Sequence, residues 1–430
     1  MADPPSSPRP GRLRQLKELA QSLLGVIVAA WAVAVVVVAL ISAGTWAVLG
    51  FPPPELPEAL APRDMDAIAT RAFAVVAGLG GTALLVIHYR RQRTTENGEQ
   101  REATRLFNER FTAAYTELGS DHAAVRLGAV HSLAHLADDA PSRELRQSCI
   151  DVLCAYLRMP YQPAPEPLPE DATDEQRRDH QARSLTHASL REVRHTVIRT
   201  ITAHLRDDAP RPWQGHDFDF TGTVFDGGDF TYAHFSGGTV DFTHATFSNG
   251  RVTFRHAHFS GGTVNFSDAH FSGGTVDFTH ATFSGGRANF SGAHFSGGTV
   301  TYTAHFSGGT VNFSGAHFSG GTVTYTGARF SGGTVNFILA RFSGGTVDFT
   351  HATFSNGRVT FSGAGFSGGT VTFGGVGLSS GPVPTPGGLV EATRRGVPGV
   401  VLLPPEWKES AEADKDEDHG SDGESASTDD

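Results

Sequence analysis

Apolar positions follow several different rules along this chain, and the rule changes mark its segments. From Leu23 to Phe51 no charged side chain occurs, and a second apolar stretch from Ala67 to Tyr89 is broken only by Arg71. At about 1.5 Å per helical residue the first run exceeds the roughly 30 Å hydrocarbon core of a bilayer. The pattern predicts a two-span transmembrane helical hairpin over residues 22–89, behind a basic tail over 1–21. Arg9, Arg12, Arg14 and Lys17 precede the first span, and Arg90, Arg91 and Arg93 follow the second. The connection holds Glu55, Glu58, Asp64 and Asp66 against Arg63. Cationic flanks stay on the cytosolic side, so the expectation is a multi-pass protein of the cell membrane with both termini cytoplasmic.

Residues 90–160 switch to helical spacing. Phe107, Phe111, Ala114 and Leu118 form one stripe; Leu127, Val130, Leu133 and Ala137 a second; Leu145, Cys149, Val152 and Tyr156 a third. Gly119-Ser120 and the Asp138-to-Ser142 segment separate them, predicting three short helices. The Ala123–Ala137 segment, A-A-V-R-L-G-A-V-H-S-L-A-H-L-A, resembles a HEAT-like helical unit, and a small α bundle is expected. Four prolines between Pro163 and Pro169 make 161–172 an extended linker. Thr173 and Gln176 then read as a capping box opening a helix over 173–207. Its stripe Leu190, Val193, Val197, Ile201 and Leu205 needs a surface to cover, and the start of the next module supplies one.

Over 216–381 the chain repeats itself. Of its 30 phenylalanines, 26 lie in this segment, so the segment has a composition of its own. Phe220, Phe225, Phe230 and Phe235 are five apart; afterwards the spacing alternates seven and five through Phe242, Phe247, Phe254, Phe259, Phe266, Phe271, Phe278 and Phe283. The unit is twelve residues, of the form H-F-S-G-G-T-V-N-F-S-G-A, with one unit shortened between Tyr302 and Phe306. A fixed short period of this kind predicts a solenoid in which each coil buries its apolar face on the next. A small residue stands two before each Phe, as with Val240, Ala245, Val252, Ala257, Val264 and Ala269.

Small-x-Phe-polar-polar is the pentapeptide pattern, and this segment resembles the pentapeptide-repeat family. The resemblance implies a right-handed β-solenoid with the Phe and the small residue pointing inward. Alternate pentapeptides are lengthened by two residues here, through pairs such as Gly262-Thr263 and Gly274-Thr275. A regular square coil is therefore not the expectation past Phe235; an elongated coil of 24 residues is preferred, with a flat coil of 12 as the alternative. Residues 382–407 are expected to cap the last coil through Val400–Leu403, and 408–430, in which ten of 23 residues are acidic, to form a disordered acidic tail.

Candidate chemistry is sparse. His234, His258, His270, His294, His305 and His317 each precede a Phe and point outward, but no carboxylate or Cys recurs at a partner spacing, so the expectation is a surface ladder, with no metal site. Thr239, Thr263, Thr275 and Thr299 make a similar ladder. Cys149 and Cys154 read as buried free thiols. No catalytic, cofactor-binding or metal-binding residue is expected, and no enzyme. The overall charge of −11 is concentrated near the C-terminus; 216–381 holds eight Asp against six Arg. The expected function is a membrane-tethered protein-binding scaffold, with the lipid bilayer and an unidentified protein as partners and neither nucleic acid nor a small-molecule substrate. The alternative that the resemblance implies is a DNA-mimicking, topoisomerase-binding protein, for which so few carboxylates are a poor imitation of phosphate density.

Overall fold

A computed structural model describes residues 62–355, 358–375, 386–397, 400–404 and 407, with parts of 32–48. The chain divides into two compact units after Glu102. In the first, a 57-residue helix, α1, begins at Pro62 and runs to Leu118, its last turns belonging to the second unit. The expected first span lies largely outside the described residues, while the second, Ala67 to Tyr89, falls within α1. Among the described residues no helix is long and apolar enough to cross a membrane. The acidic segment 408–430 also lies outside the described residues.

The second unit starts with the end of α1, followed by α2 (Ala123–Asp138), α3 (Arg143–Arg158) and α4 (Asp174–Leu205). Three short helices were the expectation; the first is instead the end of α1, which continues through Asn97-Gly98 without a break. Phe107, Ala114 and Leu118 are buried, as are Val130, Leu133 and Ala137 on α2. The buried face of α3 is rotated from the expected stripe: Cys149 and Tyr156 belong to it, but so do Ile150, Leu153, Cys154 and Leu157, while Leu145 and Val152 only pack at its margin. His122 is the N-cap of α2, and Ser120 Oγ accepts from the His122 N–H. The capping box at α4 is present, with Thr173 Oγ1 accepting from Gln176 N–H and Gln176 Oε1 from Thr173 N–H.

From Phe218 to Thr372 the chain winds as a β-solenoid of parallel two- to eight-residue strands, with about six turns. Val240, Val264 and Ala288 stand in register, so one turn takes 24 residues. Two turns are shorter. The first, Phe218 to Val240, takes 22 because its Phe225–Phe230 corner lacks the two extra residues; that from Ala288 to Val311 takes 23.

The coil has not become flat. Four inward columns of aromatic rings persist along it, continuing from Phe220, Phe225, Phe230 and Phe235 through Phe242, Phe247, Phe254 and Phe259. Within a column the rings stack at 4.6–5.2 Å, as for Phe242 on Phe266 and Phe266 on Phe290, both at 4.6 Å. That matches the coil-to-coil spacing of parallel strands. The extra residues form Ser-Gly-Gly corners outside the core. A Cβ on Gly345, whose φ is +67°, would sit 2.5 Å from the Gly321 carbonyl oxygen, so successive corners stack backbone on backbone.

The other corners are four-residue turns such as Phe242–Ala245, closed by Ala245 N–H donating to the Phe242 carbonyl. The third residue of each is left-handed, filled by Gly292 or Gly315 but also by His244, His256 and Asp268, which is the type II requirement. In the 23-residue turn this residue is missing, and Ala304 N–H reaches back only to the Tyr302 carbonyl. The tighter turn absorbs the deletion and leaves Phe306 in register with Phe283.

Both ends of the solenoid are covered. At the start, Ile198 of α4 packs against Gly228, and Thr202 Oγ1 donates to the Asp229 carbonyl. At the end, strand Val401–Leu402 pairs with Val371–Thr372, helix α5 (Leu389–Arg395) buries Leu389, and Trp407 packs on Phe354 and Phe373.

Candidate interaction surface

Because the interior is filled with rings, the side chains that can meet another molecule are the outward neighbours of the inward Val and Phe. Strand alternation fixes them: in Thr239-Val240-Asp241 the valine is buried and Thr and Asp face out. Repetition at 24 residues lines these neighbours into ladders. One ladder runs Thr239, Thr263, Arg287, Thr310, Thr334, Arg358. Another runs Arg251, Thr275, Thr299, Thr322, Thr346, Thr370.

The residue after each inward Val has a second task. Asp241 Oδ1 accepts from Thr243 N–H at 2.9 Å, and Asn265, Asn289 and Asn312 accept likewise from the serines two residues on. These asparagines also bond to one another, Asn289 Nδ2 donating to Asn265 Oδ1 and Asn312 Nδ2 to Asn289 Oδ1, both at 3.2 Å. Each turn is tied locally and to its neighbour, so this face is rigid. Ser291 Oγ donates to the Ser314 carbonyl and belongs to this network. Asp277 is held within the same face: burial pushes its pKa up, but hydrogen bonds from Thr279 and Arg251 outweigh that and hold it below the usual range.

The histidines stand where the sequence places them, outward and in columns. His270, His294 and His317 stack at 4.9 Å, and His234 lies 5.5 Å from His258. His305 occupies the same column as Thr282 and Arg329. Partial burial, and then the charge of neighbouring histidines, lowers the pKa of His270, so it stands neutral at pH 7. Among the described residues no three His, Cys, Asp or Glu side chains are placed to hold a metal ion. Cys149 and Cys154 are free and buried; burial pushes the Cys149 thiol up to about 12 and Cys154 upward too, so neither is a thiolate.

One constellation escaped the sequence reading. Asp226, on the first coil, receives Tyr161 Oη–H at 2.7 Å, Arg191 Nε–H at 2.9 Å and His195 Nε2–H at 3.1 Å. Since the Tyr161 proton is spent on Asp226, His187 Nε2–H donates to Tyr161 Oη, at 2.9 Å. Buried Arg194 lies 4.3 Å over the Tyr161 ring and donates to the Leu157 and Val224 carbonyls. Burial alone would raise the Asp226 pKa; the hydrogen bonds from His195 and Tyr161 and the charges of His195 and Arg191 bring it down to about 2. The cluster thus joins linker, cap helix and first coil. Gln147 of α3 adds a second joint, donating to the Asp217 carbonyl and accepting from the Asp217 N–H. No spacing rule links Tyr161 to Asp226, 65 positions apart.

Comparison with known proteins bears on this surface. Residues 220–264 and 261–301 match the family model described as pentapeptide repeats (9 copies). The same register continues past the matched part to Phe373, which stacks on Phe349 at 4.7 Å. Neither a curated protein nor a solved structure matches the chain.

Proposed function

We propose that this pentapeptide-repeat solenoid is a non-enzymatic scaffold, held at a membrane by the apolar N-terminal runs, and that its outward ladders bind a protein partner. The observation that carries the reading is the hydrogen-bonded Asn265–Asn289–Asn312 ladder beside the threonine column, which presents a rigid face over successive turns. A preordered surface binds without the entropy cost of ordering itself. Phe73, Leu84, Leu85, Ile87 and Tyr89 stand exposed on α1, and apolar side chains so placed favour a lipid environment. Together with the basic residues flanking the apolar runs, they support membrane tethering with both termini in the cytoplasm.

The test has two arms. Photo-crosslinking groups placed at Thr299, Thr322 and Thr346 in the full chain should capture one defined protein in cells, whereas groups at exposed Arg183 on α4 should not. An equal, diffuse pattern from both positions would remove the scaffold reading. Carbonate washing of membranes should leave the chain in the pellet, and deletion of 22–89 should release it. Release of the intact chain by carbonate would remove the tether.

A further inference from the structure

We propose that His131 and His135 of α2 chelate one divalent transition-metal ion of the Zn²⁺, Ni²⁺ or Cu²⁺ class in the groove between α2 and α4. The two histidines are one helical turn apart, the spacing at which two imidazoles on one face can close on a single ion. Both are exposed beyond the buried stripe of Val130, Leu133 and Ala134. Neither ring has a hydrogen bond or ion pair with any described residue, unlike His187, His195 and His204, whose nitrogens are committed within the protein. Both rings line a groove of about 520 Å³, with Asp138 on the same helix and Glu192 and Thr196 on the facing one.

Two carboxylates also line the groove. Glu192 accepts from Arg199 at 2.6 Å, a contact that lowers its pKa, and Asp138 accepts from His204 and Trp213. Borderline divalent ions prefer imidazole, and a two-histidine site leaves its other positions to water. No third ligand is preformed, in keeping with the absence of any converged three-residue group among the described residues. In His131-Ser-Leu-Ala-His135 a serine stands where a hydrolytic H-E-x-x-H helix carries its glutamate.

The more numerous solenoid histidines are the weaker candidates. His270 and His294 lie face to face, 4.9 Å apart with rings 8° from parallel, so their in-plane lone pairs run side by side and do not meet at one point. An ion with ligand bonds of about 2.1 Å cannot bridge them as stacked.

Isothermal titration of the purified full chain with NiCl₂ decides the matter. One saturable high-affinity equivalent is expected in the unaltered chain. Removing either ligand destroys the chelate, so His131→Ala and His135→Ala should each weaken it by roughly 10²-fold. His270→Ala and His294→Ala should leave it unchanged. Identical isotherms for the unaltered chain and both α2 variants, or no saturable equivalent at all, would overturn the site. Cu²⁺ electron paramagnetic resonance on the unaltered chain gives a readout independent of variant folding. Hyperfine splitting from two equatorial nitrogens is expected, lost in His135→Gln; a signal with none would likewise overturn it.

Discussion

Tyr302 lies flat on Tyr325, ring centroids 4.9 Å apart and planes 8° from parallel, and neither hydroxyl finds a hydrogen-bond partner among the described residues. Both rings occupy the column that runs from Phe230 through Phe254 and Phe278, and burial pushes both phenols well above their usual pKa. Two polar groups therefore stand where the repeat elsewhere places phenylalanine.

A buried, unpaired hydroxyl costs stability, while the ring itself stacks as phenylalanine does. Tyr302→Phe and Tyr325→Phe are each expected to stabilise the solenoid by about 1 kcal/mol. Urea unfolding followed by circular dichroism measures this. Destabilisation by both variants would mean that the hydroxyls are satisfied by ordered water.

Phe290 is fully buried, stacked at 4.6 Å on Phe266 and 4.8 Å on Phe313. Phe290→Ala opens a cavity between coils and should cost about 3–5 kcal/mol. Thr299 is outward and exposed, so Thr299→Ala should stay within about 0.5 kcal/mol of the parent. Comparable urea midpoints for the two variants would show that the column does not carry the stability.

At Gly345 a side chain is excluded twice, by φ of +67° and by the Gly321 carbonyl 2.5 Å from any Cβ. Gly345→Ala should therefore cost about 2 kcal/mol or more, the left-handed conformation alone accounting for about half. Hydrogen exchange should quicken first at the Ser343–Thr346 corner. If protection there is unchanged, successive corners are not in backbone contact.

The Asp226 carboxyl titrates at about 2 in the folded protein, with its side chain 15% exposed, against roughly 3.9 when unfolded. A depressed carboxyl pKa stabilises the fold fully above its unfolded value, and that contribution is lost as pH falls through the folded one. The gap corresponds to about 2–3 kcal/mol. Asp226→Asn should lose about that much at pH 7, and the difference from the parent should shrink as pH falls from about 4 to 2. A difference that does not vary with pH would place its origin in packing.

Much of the solenoid was legible in the sequence because its determinants are local. An inward Phe and its small partner two residues earlier are set by strand alternation, which needs no knowledge of the rest of the fold. The corners were read less well. Lengthening by two residues argued against a four-sided coil, yet Phe247 and Phe254 keep separate columns because the Ser-Gly-Gly insert folds outside the core. His244 and His256 gave no warning of a left-handed backbone, since the residue type that signals it at equivalent corners is glycine. The Tyr161–Asp226 joint and the groove beside His131 were out of reach, each needing helices and coil already docked.

The sequence by itself determined that this chain repeats, which side chains turn inward, where helices give way to strands, and that α4 opens with a capping box. These follow from periodicity, steric preference and hydrogen-bonding capacity within a few residues. Only the tertiary structure decided that a turn closes after 24 residues and that the 23-residue turn keeps register through a tighter corner. It also decided that α3, beside the expected α4, seats on the first coil. Those are matters of which backbone amide meets which carbonyl on the next coil, and residues that meet this way lie more than twenty positions apart in the chain.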